Sequence, residues 1–179
     1  NQYVYKTVSC FTPIVEPSGM SGFYMDMKGI PTPKNNTKDI GLSVLKKIES
    51  RTSLLSVVGI SINKLVSRII TDVVPDDIHE VCSGSEHHFL APLDYSVLPT
   101  TRQKSVYRML HFLVLDKVAH IQSMSRRIEE FKTLFGTHAR QLIDEASGRD
   151  TSPVKPPTLI DHVLEQTVLP EDTNDQEML

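Results

Sequence analysis

The strongest constraint in this sequence is a run of alternating side chains that follows two closely spaced glycines. Apolar residues alternate with more polar ones from Phe23 to Lys28, which is the period of a β-strand. Gly19 and Gly22 come just before this run and permit the backbone angles of a tight turn. Strand-forming apolar residues also precede the turn. Residues 15–29 therefore predict a β-hairpin, and the rest of the chain is interpreted around it.

Helical and strand patterns alternate after the hairpin. Apolar residues recur every four positions in residues 38–51, which predicts a helix, and the apolar run at 54–61 is typical of a buried strand. A second helix is predicted at 62–71, with Ser61 as its N-cap, and a further strand at 78–82. This order predicts an α+β fold, in which a mixed sheet carries two helices.

The pattern becomes entirely helical from Thr100 onward. Four apolar periodic segments follow, and glycines end the last two. We therefore expect one domain over residues 1–97 and a small all-helical domain over 98–152. Residues 153–179 begin with a proline-rich stretch, which is typical of a linker.

Composition limits the possible partners and compartments. The formal net charge is −3, so any contact with DNA must come from local basic faces. No apolar run approaches the roughly 18 residues of a membrane helix, and no signal peptide opens the chain, so no membrane partner is expected. The two cysteines show no metal-ligand spacing and no disulfide framework, which favours a reducing, cytoplasmic location.

The hairpin resembles the catalytic hairpin of the Y-family, or UmuC/DinB-type, translesion DNA polymerases. In that family the turn carries Ser-x-Asp-Glu, followed by an aromatic-Leu-Asp strand and a glycine. The strand here matches from Phe23 to Gly29, with Asp26 at the strand aspartate. Residues 54–68 resemble the family's strand-to-helix segment, and residues 134–153 resemble its last thumb helix.

The resemblance implies a division of the chain into three parts. Residues 1–97 would be the C-terminal part of the palm domain, 98–152 the helical thumb, and 153–179 a linker with the start of the little-finger domain. The start of the palm and the fingers would precede residue 1.

The chain departs from the family's pattern at positions that carry chemistry. Ser21 stands at the metal-binding aspartate and Gly22 at the glutamate. Two-metal catalysis needs carboxylate ligands, which neither residue supplies. The family's Lys-Pro pair keeps Pro75 without its lysine, and the thumb turn at 100–102 lacks its glycines. From these departures we expect a protein that is not an enzyme and that binds no cofactor, with Mg²⁺ required only if the protein is active after all.

The resemblance is closest to the inactive, ImuB-like branch of the family. It implies a non-catalytic adaptor in damage-induced translesion synthesis and mutagenesis. The implied partners are the replication sliding clamp, a replicative-type error-prone polymerase and a RecA-like accessory protein. Two alternatives stay open: an active error-prone translesion polymerase with unusual metal ligands, and a pure protein-interaction module on the same fold.

Four basic residues are the candidates for contact with nucleic acid. Lys64 and Arg68 lie four positions apart on one predicted helix, and Arg102 and Lys104 lie at the start of the thumb helices. We expect them to bind the phosphates of a primer–template weakly and without base specificity. The alternative for each is an ordinary solvated helix face.

Overall fold

The computed structural model describes residues 2–19, 21–31 and 36–157 of the 179-residue chain. Within these residues the chain forms eight α-helices, four short β-strands and three 3₁₀ turns. In chain order the elements are α1 (Gln2–Val8), β1 (Val15–Ser18), β2 (Gly22–Met25), α2 (Thr37–Thr52), β3 (Val58–Ile60), α3 (Lys64–Val73), β4 (Ile78–Glu80), α4 (Glu86–Leu90), 3₁₀ turns at Tyr95–Val97 and Pro99–Arg102, α5 (Lys104–Phe112), α6 (Val118–Met124), a 3₁₀ turn at Ser125–Arg127, α7 (Ile128–Phe135) and α8 (His138–Ala146).

The N-terminal part is the predicted hairpin, which shares a small core with two helices. Strands β1 and β2 pair antiparallel, and the last pair joins Ser18 to Gly22 across a three-residue turn. Val15 is buried with Val8 of α1 and Val44 of α2. The sequence did not predict α1, because seven residues rich in β-branched and aromatic side chains favour helix only weakly. Packing on α2 stabilises it instead.

Strands β3 and β4 pair in parallel, with α3 as the crossover helix between them. Asn63 caps α3, and its side-chain oxygen accepts a hydrogen bond from Val66 N at 2.9 Å. The prediction of Ser61 as the N-cap was therefore wrong by two residues. The predicted strand at 54–61 is also shorter than expected, because β3 spans only Val58–Ile60 and Leu55, predicted to be buried, is 90% exposed.

The two strand pairs do not join one another within the described residues. A cleft of about 680 Å³ is lined by β2, α2, β3, β4 and residues 150–154. The predicted α+β class is confirmed, but the sheet is divided into an antiparallel pair and a parallel pair.

The C-terminal part is helical, and its core continues into the first part. Leu110, Ile121, Phe131 and Leu142 of the later helices are fully buried in one cluster with Ile69 and Ile70 of α3. Helix α3 therefore packs on β3 with one face and on the later helices with another. None of the helices described is both long and apolar enough to cross a membrane.

Candidate nucleic-acid interface

The tip of the hairpin carries Ser21 and Gly22. Ser21 is exposed in the turn, while Gly22 pairs with Ser18. A Cβ atom built on Gly22 would lie 2.9 Å from the carbonyl oxygen of Ser18, which is closer than real Cβ contacts. The hairpin is therefore closed in a way that suits glycine at position 22, and neither position supplies a carboxylate.

The nearby carboxylates serve the fold. Asp26 accepts a hydrogen bond from Lys28 N at 2.8 Å, which forms the turn after β2. Asp150 accepts from Leu65 N at 3.1 Å at the start of α3, and also from Ser152 N at 2.8 Å. Among the residues that the structure describes, no three His, Cys, Asp or Glu side chains form a group able to hold a metal ion. These residues do not fit the pair of divalent ions that nucleotidyl transfer uses.

Lys64, the first residue of α3, is held by Glu16 of β1. Its Nζ atom lies 2.7 and 2.8 Å from the two carboxylate oxygens of Glu16, and it also lies over the ring of Tyr24. The side chain of Lys64 is only 18% exposed. The second residue predicted on this helix, Arg68, points to Asp72, and its Nε lies 3.0 Å from that carboxylate.

Arg68 remains half exposed despite its ion pair. The hydrogen bond that Arg68 donates to Asp72, together with the charge of that carboxylate, raises the pKa of Arg68 above its usual value. An exposed pair of this kind contributes little to stability, so the guanidinium can exchange Asp72 for another anion at small cost.

Arg102 and Lys104 lie on either side of Gln103, where a 3₁₀ turn passes into α5. Both side chains are exposed, and within the described residues neither forms an ion pair. Gln103 caps α5 without a side-chain hydrogen bond, so its first N–H groups are not satisfied by a side-chain cap. Positive charge and N–H groups that no side chain caps both favour a phosphate contact.

Sequence reasoning missed Glu145 of α8, which is buried under the same turn. Its carboxylate accepts hydrogen bonds from the N–H group of Thr100 at 2.9 Å and from its hydroxyl at 2.7 Å. Gln141 donates a third, at 2.9 Å. In the turn at 100–102, which lacks the family's glycines, the Glu145 carboxylate thus accepts the hydrogen bonds that Thr100 donates. The signal available in the sequence was an acidic residue among the apolar positions of α8.

The four predicted basic residues fall into two separate pairs. Lys64 and Arg68 belong to α3, while Arg102 and Lys104 belong to the start of α5. No hydrogen bond or ion pair between described residues joins the two pairs. Their assignment to DNA therefore stays a prediction.

Comparison with known proteins shows which family the chain resembles. The impB/mucB/samB family matches residues 1–72. A protein named DNA polymerase IV from Dehalococcoides mccartyi is 29% identical over 177 residues, which cover 97% of this chain and 44% of that protein. The chain thus spans less than half the length of this relative.

Solved structures show the same fold. DinB from Sulfolobus solfataricus superposes with a TM-score of 0.69 at 19% identity, over 86% of this chain and 45% of that one. A Y-family DNA polymerase chimera superposes with a TM-score of 0.71 at 18% identity, over 88% and 46%. The resemblance to the Y family is therefore confirmed, and these relatives do not point to the ImuB-like branch.

Two expectations drawn from the departures at the hairpin, at Pro75 and at residues 100–102 are wrong. Relatives similar over nearly the whole chain are named DNA polymerase IV, which contradicts the prediction that the protein is not an enzyme. The prediction of no cofactor fails with it, because nucleotidyl transfer in this family uses divalent metal ions. The physical reason for the error is that departures at three places in this chain were taken to decide the activity of a site built from several segments.

Proposed function

We propose that this chain, a segment of the Y family, forms part of the palm and thumb of an error-prone DNA polymerase that copies damaged templates. The observation that carries the proposal is the similarity to DNA polymerase IV, which extends over 97% of the chain and so includes both its α+β and its helical parts. The division into the C-terminal part of the palm at 1–97, the thumb at 98–152, and a linker with the start of the little-finger domain at 153–179 belongs to the same proposal. Residues 158–179 lie outside the described residues.

The role of this segment is to hold the DNA. Arg102 and Lys104 offer two charges beside the start of α5 that pair with no carboxylate of the described residues, and Arg68 offers a third charge that exchanges partners at small cost. Since the whole chain has a net charge of −3, binding depends on these local groups and should weaken steeply with added salt. Contacts to phosphates fix the position of a primer–template and carry no base specificity.

The metal ions of such a polymerase would need ligands beyond the hairpin. A bound metal would stabilise the attacking and leaving oxygens of the reaction. The described residues supply no group to hold it. We therefore assign this chain the positioning of DNA and assign none of its residues to the chemical step.

The remaining partners rest on the resemblance alone. DNA is the partner that the family and the fold support. The sliding clamp, the replicative-type polymerase and the RecA-like accessory protein stay predictions, as does the cytoplasmic location.

The test is primer extension by the full-length gene product on an undamaged template and on one with an abasic site, with Mg²⁺ or Mn²⁺. We expect extension of both templates. A second preparation that lacks the palm carboxylates found by aligning the full sequence controls for contaminating polymerase. If the purified protein binds the primer–template and does not extend it with either metal, the proposal is wrong.

A further inference from the structure

Glu16 lies where three segments of the chain meet. One of its carboxylate oxygens accepts a hydrogen bond from Lys64 Nζ at 2.7 Å, and the other accepts from Lys64 Nζ at 2.8 Å and from Lys155 N at 2.7 Å. Lys64 Nζ also reaches the carbonyl oxygen of Pro153 at 3.4 Å. A single carboxylate on β1 thus fixes the first residue of α3 and residues 153–155, which follow the last helix.

The donors around Glu16 are those that bind a phosphate. An ammonium group and a backbone N–H group converge on two carboxylate oxygens, and protein contacts to phosphate oxygens use the same donor types. Lys64 keeps a second contact, since its Nζ lies 5.0 Å from the centre of the Tyr24 ring. This cation–π contact holds the ammonium in place whether or not Glu16 stays beside it.

The charges of Glu16 and Lys64 compensate each other. Their side chains are 24% and 18% exposed, so Lys64 is not a free surface cation. A phosphate that contacts Lys64 must replace Glu16, because both carboxylate oxygens of Glu16 already accept hydrogen bonds from Nζ. Replacing it also removes the acceptor for Lys155 N, which loosens residues 153–155.

We propose that Glu16 clamps residues 153–155 onto the hairpin and competes with a DNA backbone phosphate for Lys64. The competition rests on the proposed function, whereas the clamp does not. Glu16 is then a positioning residue: it lowers the affinity for DNA at this point, and it links the arrival of a phosphate to the release of the segment that leads out of the helical part.

The test compares Glu16→Gln with Glu129→Gln in the full-length protein. Glu129 is a matched control because it also pairs with a lysine at 2.7 Å, that of Lys132, on an exposed helix face. Both variants remove one negative charge. Hydrogen exchange of peptides that contain residues 151–157 should speed up by about fivefold in Glu16→Gln and stay unchanged in Glu129→Gln.

Affinity for a primer–template duplex at fixed salt is the second measurement. Glu16→Gln should bind about three to five times more tightly than Glu129→Gln, because a competing carboxylate has gone. The gain should disappear in the double variant Glu16→Gln with Lys64→Ala. A variant that was merely destabilised would lose affinity, so a gain cannot come from damaged folding.

The outcomes separate the clamp from the function. Unchanged exchange in Glu16→Gln overturns the clamp, whatever the DNA does. Equal gains in affinity for both single variants overturn the competition, because the loss of one negative charge then explains the tighter DNA binding by itself. Faster exchange without DNA binding by any variant supports the clamp, overturns the competition and counts against the proposed function itself.

Discussion

Ser21 and Gly22 are neighbours at the tip of the hairpin, but Ser21 lies in the turn and Gly22 is the first residue of β2. Ser21 is exposed, so a larger side chain has room there. Gly22 faces the carbonyl oxygen of Ser18, and any side chain at 22 requires a shift of the backbone. An aspartate therefore fits at 21 without rebuilding the hairpin, whereas a glutamate at 22 does not.

Restoring one carboxylate should thus help more than restoring two. In the full-length protein, Ser21→Asp should raise the rate of single-nucleotide insertion by about tenfold or more, because an acidic oxygen returns to the tip of the hairpin. Adding Gly22→Glu should lower the melting temperature, as expected for roughly 1 kcal/mol of strain in the hairpin. An insertion rate unchanged by Ser21→Asp would show that the tip does not face the reacting groups.

The ion pair of Glu16 makes the stability of the protein depend on pH. Burial by itself raises the pKa of Glu16. Hydrogen bonds from Lys64 and from the Lys155 amide lower it, as do the charges of both lysines. These effects outweigh burial and hold the pKa of Glu16 below its ordinary value of 4.5. For an acid with a lowered pKa, the stabilisation is complete above the ordinary pKa and is lost as the pH falls through the folded-state pKa.

The melting temperature of the unaltered protein should therefore exceed that of Glu16→Gln at pH 7, and the difference should shrink below about pH 4.5. Thermal unfolding of both proteins between pH 7 and pH 3 measures this. Glu129→Gln corrects for the general effect of acid. A difference that stays constant over the whole range would mean that Glu16 is not ionised in a paired state.

At the scale of elements, α3 connects the two parts of the molecule. A Cβ atom built on Gly59 of β3 would collide with the backbone oxygen of Ser67 and the side chain of Ile70, so β3 and α3 approach as closely as glycine allows. A Cβ atom on Gly41 of α2 would meet the end of the Ile78 side chain. A side-chain end can move, whereas the backbone of a buried helix cannot.

Alanine substitutions at Gly59 and Gly41 should therefore change the free energy of unfolding by very different amounts. Gly59→Ala should destabilise the protein by about 3 kcal/mol or prevent its folding, because overpacking against backbone finds no relief. Gly41→Ala should be close to neutral, since the helix gains roughly 0.5–1 kcal/mol from replacing a glycine. Urea unfolding of the two variants gives the comparison, and equal losses of stability would contradict the close approach of β3 to α3.

The elements that the sequence predicted correctly have strong periodicity. Helix α2 matches the stripe of apolar residues at 38–51, and the hairpin follows its two glycines. Helix α1 and the short length of β3 were missed because both depend on tertiary packing, which no local pattern encodes. Within the candidate site, the sequence identified the basic residues. It could not identify Glu16 or Glu145, whose partners lie 48 and 45 positions away in the chain.

At the scale of the whole molecule, the two strand pairs leave a cleft between them. Apolar residues such as Val57 and Ile62 line it and are exposed. The chain spans 44% of the length of a relative that matches almost all of it. We expect the rest of the full-length protein to cover this cleft, since exposed apolar surface of this kind marks contact with other protein.

The two cysteines test this expectation. Cys82 lines the cleft, whereas Cys10 lies outside it, and both are exposed in the structure. In the native full-length protein, Cys82 should react with a thiol reagent at least about tenfold more slowly than Cys10, as expected for a thiol that must await a local opening. Their rates should be similar in denaturant. Mass spectrometry of the labelled peptides measures both, and equal native rates would show that the cleft stays open.

Steady-state nucleotide insertion by the full-length protein, with the primer–template concentration varied, tests most directly whether this chain holds DNA for a polymerase. The variant Arg102→Ala with Lys104→Ala removes two proposed phosphate contacts. Lys38→Ala with Lys46→Ala removes two exposed charges of α2 as the matched control.

We predict insertion by the unaltered protein. The thumb variant should show a KM for primer–template raised by about tenfold with kcat little changed, because positioning contacts act before the chemical step. The control should behave like the unaltered protein. An absence of insertion by the unaltered protein, or an equal KM in all three proteins, would contradict the claim that this chain holds DNA for a polymerase.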